Sequence, residues 1–463
     1  MKRFIFCIFS FLLFFNTILF AQSITWEKAY IQPDQQNFNS IVQTEDDGYI
    51  ATGHSRINSY DYLYIVRLNK YGDTIWTKSI NGFDGSCIIK TIDNNYAIST
   101  SGGEFIKIDI NGNIIIRGTH YDISSRILKI LQTPDGNYYM CGRYFPAAEY
   151  PELIKYDVNG NLLWDSVYYS GFYFGDFRDM ILYNNNFILT GNNMQAVTFQ
   201  IYFFIMSIDQ NGERNWLSRI DSSFTIAPRK ITLANNNLLV SGINRNNNAC
   251  LAKFTIMGEY IWIKGYDTNY LGDLRSVIIS NDGNYISTGY LFNSTSDRLS
   301  IMKTDTNGII IWQKFYGYNN SYTTPWDLKQ TNDTGFVIAG TTNFQLQDCY
   351  VLKTDKNGFV EPIGIIKQEQ NIPQNYKLFQ NYPNPFNPMT CIEYEIPNDA
   401  NIKLTVYDIT GREILSINEY RQADVYTYTF DGTNLASGIY IYKIDASTPL
   451  STYTETRKMV LIK

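Results

Sequence analysis

The chain has 463 residues, 44% of them hydrophobic and only 18% charged, with a formal net charge of −6. That length excludes one ordinary core unless a unit repeats or the β architecture is large. No cluster of Lys and Arg is present to neutralise phosphates, which argues against nucleic acid as a partner.

The chain opens MKRFIFCIFSFLLFFNTILFAQS. Lys2 and Arg3 precede an apolar run from Phe4 to Phe20, and Ala21 stands before Gln22, the layout of a secretory signal over 1–21 cleaved after Ala21. Read as a membrane anchor instead, the run is short and is interrupted by Ser10, Asn16 and Thr17. No later stretch is long enough to span a bilayer, so the mature chain is expected to lack a transmembrane segment. QIYFFIMSI (200–208) reads as a strand buried on both faces.

ITWEKAY (24–30) reads as a strand with no turn residues before it. Related segments each follow a Gly-centred turn: KYGDTIW (70–76), VNGNLLW (158–164), QNGERNW (210–216), IMGEYIW (256–262) and TNGIIIW (306–312). INGNIII (110–116) has Ile116 in the aromatic place, and KNGFVEP (356–362) breaks off. The anchoring glycines, Gly72, Gly112, Gly160, Gly212, Gly258, Gly308 and Gly358, lie 40 to 52 residues apart, a period that marks one repeated supersecondary unit. Within 273–317, DLRSVIIS, NYISTG, LSIMKTD and IIIWQKF read as four strands, with NDG and TNG as tight turns. Such turns need positive φ, which Gly adopts freely and Asn or Asp at little cost. Four antiparallel strands per unit predict β-propeller blades. The last unit lacks its aromatic strand, and ITWEKAY supplies it, which predicts an all-β chain with a seven-bladed propeller over 22–365, its last blade closed by the N-terminal strand. An open solenoid would gain nothing from a half-unit split between the termini.

Within these repeats, Asp109, Asp157, Asp209, Asp305 and Asp355 read as turn residues, because a calcium cage would need further carboxylates. Cys87, Cys141, Cys250, Cys349 and Cys391 are scattered and odd in number, which predicts buried thiols, with no disulfide framework and no metal or other cofactor. Stretches such as DYLYIVRLNKYGDTIWTKSI resemble the propeller repeats of secreted Bacteroidetes-type proteins and, more distantly, those of quinoprotein dehydrogenases. The haem-attaching CxxCH and adjacent Cys pair of the latter are missing, so a redox function is not carried over.

After a linker at 366–375 the style changes. IEYEIP, IKLTVYDITGREILSI, YTYTFDGTNLASGIYIYKI and TETRKMVLIK alternate like strands of a small Ig-like β-sandwich over 376–463. These stretches resemble the type A C-terminal sorting domain of the type IX secretion system. The resemblance rests on Pro383, Asn384, Pro385 and Phe386, then Asp408, Gly411, Arg412 and Glu413, then Leu435, Gly438, Tyr440 and Lys458 through Lys463. It implies Sec export, passage through the outer membrane by that secretion machinery, and a cell-surface or secreted destination.

Signs of chemistry are few. His54, placed where a loop begins, and His120 have no triad or metal-ligand spacing around them. The long, varied loops that share one face of an up-and-down propeller carry the binding candidates Tyr144, Phe172, Tyr173, Asp176, Tyr270, Asp273, Tyr318, Tyr322 and Trp326. Aromatics beside Asp and Asn suit sugar rings, whose C–H faces stack while their hydroxyls need acceptors. The expected function is therefore a non-enzymatic binding module for a glycan or surface protein. The alternatives are a polysaccharide hydrolase or lyase using Asp/Glu, and a ligand-free structural component.

Overall fold

The computed structural model describes residues 24–30, 35–57, 60–119, 124–146, 148–168, 174–194, 201–220, 226–244, 248–266, 271–292, 297–317, 322–343, 347–360, 375–381, 384–421, 424–448 and 452–462. The leader and His120 lie outside them. Among the described residues every regular element is a β-strand. The chain divides into two compact units, Met1–Ile363 and Gly364–Lys463.

In the first unit the Asn, Asp and Gly turns set the hairpins. Asp109 is typical: its carboxylate accepts hydrogen bonds from the backbone N–H groups of Asn111 and Asn113 at 2.9 and 2.8 Å. The turn that results is closed by side-chain hydrogen bonding and needs no ion. Six four-stranded antiparallel sheets follow in chain order, over 35–81, 85–118, 125–167, 174–220, 226–265 and 271–316. A seventh takes three strands from 323–354 and its fourth from the N-terminus. Strand Trp26–Tyr30 runs antiparallel to Asp348–Thr354, with Trp26 opposite Lys353 and Tyr30 opposite Cys349.

The first strands of successive sheets touch one another, and the first strand of the seventh sheet, Thr323–Gln330, touches Gln35–Gln43 of the first. The sheets therefore form a closed ring, with their first strands around its axis. A separate apolar cluster fills each junction, the one between last and first sheets combining Phe38, Ile41 and Val66 with Trp26, Val337 and Val351. This cyclic array of antiparallel sheets is a β-propeller, the arrangement in which no sheet edge is left without a packed neighbour.

The Gly–Trp repeat has a single structural cause. Each last-strand aromatic packs on the turn glycine of the following sheet: Trp76 on Gly112, Trp164 on Gly212, Trp216 on Gly258, Trp262 on Gly308 and Trp312 on Gly358. Ile116 takes the same place against Gly160. Trp26 closes the series on Gly72, whose φ is +77° and where a Cβ would fall 2.7 Å from the indole. Only glycine satisfies both demands. Trp26 also donates from Nε1 to the Lys70 carbonyl at 2.9 Å, and Tyr30 donates to the Gly72 carbonyl at 2.8 Å.

The second unit holds a three-stranded sheet, Lys377–Leu378, Met389–Ile396 and Asp424–Asp431, and a four-stranded sheet of Glu413–Arg421, Ala400–Asp408, Gly438–Ser447 and Thr452–Leu461. Both are antiparallel and share one core, with Leu378, Ile392 and Tyr394 from the first meeting Leu404, Val406, Tyr442 and Met459 from the second.

Trp26 is 2% exposed, so Trp26→Ala removes a buried aromatic at the ring's junction. The expected cost is about 3–5 kcal/mol, read as a lower urea midpoint. Trp76→Ala, at the homologous but half-buried position, is expected to cost less.

Candidate functional site

Strands lining the ring axis carry a shared irregularity. In every first strand the pairing with the second skips one residue, a β-bulge that re-aims the side chains on either side of it. The skipped residues are Asn39, Ser86, Leu128, Arg178, Arg229, Arg275 and Trp326. The residues after them are Ser40, Cys87, Lys129, Asp179, Lys230, Ser276 and Asp327. Two layers of side chains thus surround the axis, one of each per sheet.

The second layer interlocks. Lys129 Nζ lies 3.3 Å from Asp179 Oδ1, and the other Asp179 oxygen accepts from the Ile231 amide at 3.0 Å. Lys230 Nζ donates to Ser276 Oγ at 3.0 Å and to Asp327 Oδ1 at 3.1 Å, reaching from the fifth sheet to the seventh. Asp327 Oδ2 accepts from Ser40 Oγ at 2.8 Å, tying the seventh sheet to the first, and Lys329 adds a second ammonium at 3.2 Å. Burial pushes the Asp327 carboxyl up, but Lys230, Lys329 and Lys129 more than offset it and hold it far below the usual carboxylate range. Burial lowers Lys230 below its ordinary value, to about 8, against the attraction of Asp327. Burial would likewise lower Lys129, yet the Asp179 carboxylate prevails and holds it above its ordinary value. This layer is a charge-paired floor across the channel.

The first layer is more open. Arg229 contacts Asp273 Oδ2 through Nε at 2.9 Å and its terminal nitrogen at 2.8 Å, and Arg275 Nε lies 3.0 Å from the same oxygen. Arg178 pairs with Asp176 at 2.7 Å. The Arg275 guanidinium stands 4.4 Å from the Trp326 ring centroid and 5.4 Å from that of Tyr290. Trp326 is 37% exposed and donates from Nε1 to Thr341 Oγ1 at 3.1 Å. Burial pushes the Asp176 carboxyl up, with Arg178 only partly offsetting it.

Of the residues expected from sequence, Asp273 and Trp326 come together through Arg275, and buried Asp176, two sheets away from Asp273, pairs with Arg178 of the same layer. Tyr322 is exposed just before strand Thr323–Gln330, and Tyr144 is half-buried at the end of strand Tyr138–Tyr144. Phe172, Tyr173, Tyr270 and Tyr318 lie outside the described residues. His54 is not at a loop start: strand Tyr49–Ile57 runs on past it, pairing it with Asn37. Its Nε2 lies 2.9 Å from Asp61 Oδ1 and 3.7 Å from Asp84 Oδ1. The three arginines and the floor residues were missed. The signal was available in the aligned first strands FNSIV, GSCII, ILKIL, FRDMI, PRKIT, LRSVI and PWDLK, where both layers fall in adjacent columns. Among the described residues no group of three or more His, Cys, Asp or Glu side chains could hold a metal. Cys87, Cys141, Cys250 and Cys349 are buried free thiols, and Cys391 is an exposed one.

In the second unit, the motif residues fasten the chain's last strand. Asn384 Oδ1 accepts from the Val460 amide at 2.9 Å, and Phe386 and Val460 pair through the backbone at 2.9 Å. Phe386 is buried in the core and pairs in parallel with Leu461. Asp408 accepts from the amides of Thr410 and Arg412, Gly411 takes φ +84°, and the Arg412 side chain closes on Asp408 at 3.0 Å. Tyr440 donates to the Ala436 carbonyl at 2.7 Å, and the Lys458 carbonyl accepts from Gln380. Gly438 begins the strand that bears Tyr440, Pro385 precedes Phe386, and Pro383 lies outside the described residues.

Residues 380–462 match the family described as Secretion system C-terminal sorting domain. No curated protein matches the chain. Among solved structures it is similar to BamB from Moraxella catarrhalis, at 12% identity over 68% of this chain and 85% of that one, with a TM-score of 0.40. The chain is a β-propeller repeat protein with a C-terminal sorting domain of the type IX secretion system. Such a domain marks its carrier for the cell surface or the extracellular space.

Asp327→Asn leaves Lys230 and Lys329 without their shared carboxylate, and the expected loss at pH 7 is about 3–5 kcal/mol. Because the folded pKa of Asp327 is depressed, its contribution is complete above the unfolded value and fades as pH falls. The gap between wild type and variant should be about 1 kcal/mol smaller at pH 3 than at pH 7, measured by urea unfolding.

Proposed function

We propose that the chain is an exported surface protein whose seven-bladed propeller, over 22–365, is a binding module for a glycan or surface protein. A leader over 1–21 directs Sec export, and an Ig-like sandwich over 376–463, joined by a linker at 366–375, engages the type IX machinery. One observation carries the non-enzymatic reading: among the described residues, the four carboxylates that meet the cations of the two channel layers, Asp176, Asp179, Asp273 and Asp327, are each ion-paired with Arg or Lys. Hydrolysis of a glycosidic bond needs one carboxyl poised as an acid and a second free to act as base or nucleophile. Carboxylates occupied by ion pairs serve the scaffold. What stays accessible is recognition chemistry, with Trp326 and the three arginines beside the Lys–Asp pairs of the second layer. The second reading, a polysaccharide hydrolase or lyase, is favoured by Asp176 alone, whose raised carboxyl resembles a general acid.

The purified chain, incubated with a panel of polysaccharides, is expected to bind without releasing reducing or unsaturated ends. Trp326→Ala should weaken that binding about tenfold while the unfolding midpoint stays near wild type. Release of new chain ends that disappears in Asp176→Asn would establish the enzyme instead. In cells, deletion of 376–463 is expected to leave the chain in the periplasm, scored by fractionation; surface display of the truncated chain would contradict the sorting role.

A further inference from the structure

Resting on the glycan-binding reading above, we infer that the propeller's ligand is an acidic glycan whose carboxylate or sulfate groups are held by Arg178, Arg229 and Arg275. These arginines occupy the same bulge position in three successive sheets, and Trp326 holds it in the next. The rest of the layer, Asn39, Ser86 and Leu128, is uncharged, so the cationic wall covers one side of the channel mouth only.

Local charge is not balanced there. Arg229 and Arg275 converge on one oxygen, Asp273 Oδ2, so two guanidinium groups share a single carboxylate. Among the described residues, the six cations of both layers and Lys329 make contact with four carboxylates, a surplus of two. The chain as a whole carries a net charge of −6, so this surplus is a local feature against an acidic background. Removing charges from water without full compensation is costly, and an anionic group entering the cup supplies the missing partner. Guanidinium suits that task because its planar fork matches carboxylate and sulfate oxygens in two parallel hydrogen bonds. Asp273 hydrogen-bonds the Arg229 fork and lies 3.0 Å from Arg275 Nε, and the rings of Trp326 and Tyr290 flank the Arg275 guanidinium.

The floor decides how such a ligand sits. The Lys129–Asp179 and Lys230–Asp327 pairs link first strands one and two sheets apart, so an acidic sugar chain meets already-paired charge below the arginines and lies across the mouth. The exposed indole of Trp326, beside the arginines, then offers a surface for a C–H face of the ring that bears the acid.

Affinity electrophoresis of the intact chain through gels containing polygalacturonate, dextran sulfate or neutral dextran tests this. The expected result is retardation by at least one acidic polymer and none by neutral dextran, with added salt weakening it. The polygalacturonate and dextran sulfate arms separate carboxylate from sulfate recognition. Leu128 is 37% exposed on the uncharged wall, so Leu128→Glu adds a negative charge to the cup without removing an ion pair. It should weaken retardation about tenfold while Leu128→Gln leaves it unchanged. Arg178→Gln should weaken it comparably. Equal retardation by neutral dextran would overturn the acidic class and leave glycan binding standing. Acidic binding untouched by both Leu128→Glu and Arg178→Gln would overturn the site. No retardation by any polymer would remove the glycan reading itself.

Discussion

The contact on which the propeller depends is an indole lying on a turn glycine of the next sheet. Six such steps pass the chain from one sheet to the following one, with Ile116 standing in for one indole. They cannot close the ring, because among the described residues the seventh sheet has no strand of its own after Asp348–Thr354. Trp26 supplies it, settling on Gly72 of the first sheet while its backbone pairs with the seventh. One five-residue strand thus satisfies the edge of the last sheet and the junction with the first, joining residues over three hundred positions apart.

Closure in turn creates the axis. Once the first strands face one another, their bulges place charged side chains where no single sheet could balance them, and Lys–Asp pairs reaching between sheets do so instead. Asp327 shows the coupling: it accepts from Ser40 of the first sheet and from Lys230 of the fifth. Lys–Asp pairing in one layer and arginines with Trp326 in the other are both consequences of the same bulge repeated in each first strand.

Some of this was legible in sequence and some was not, for physical reasons. The strand at 24–30 could be placed because the Gly–Trp spacing is a rigid local requirement: a tight turn at positive φ, then an aromatic at fixed distance along a strand. The sorting module was legible because its motif residues, such as Asn384 and Asp408, make short-range backbone contacts that leave little freedom in residue choice. The axis layers were harder to see. Lys129, Asp179, Lys230 and Asp327 sit at equivalent positions but differ in chemistry, since each answers a partner on another sheet. Aromatics expected on loops drew attention by their abundance, yet the described geometry brings only Trp326 of them against the charged layer, and it lies within strand Thr323–Gln330 rather than on a loop.

Hydrogen–deuterium exchange tests the closure most directly. Backbone pairing to Asp348–Thr354 predicts that amides of 26–30 exchange as slowly as those of 349–354, far slower than an unpaired terminus. Exchange of 26–30 at the rate of a free peptide, with 349–354 still protected, would show that the ring is not closed by this strand.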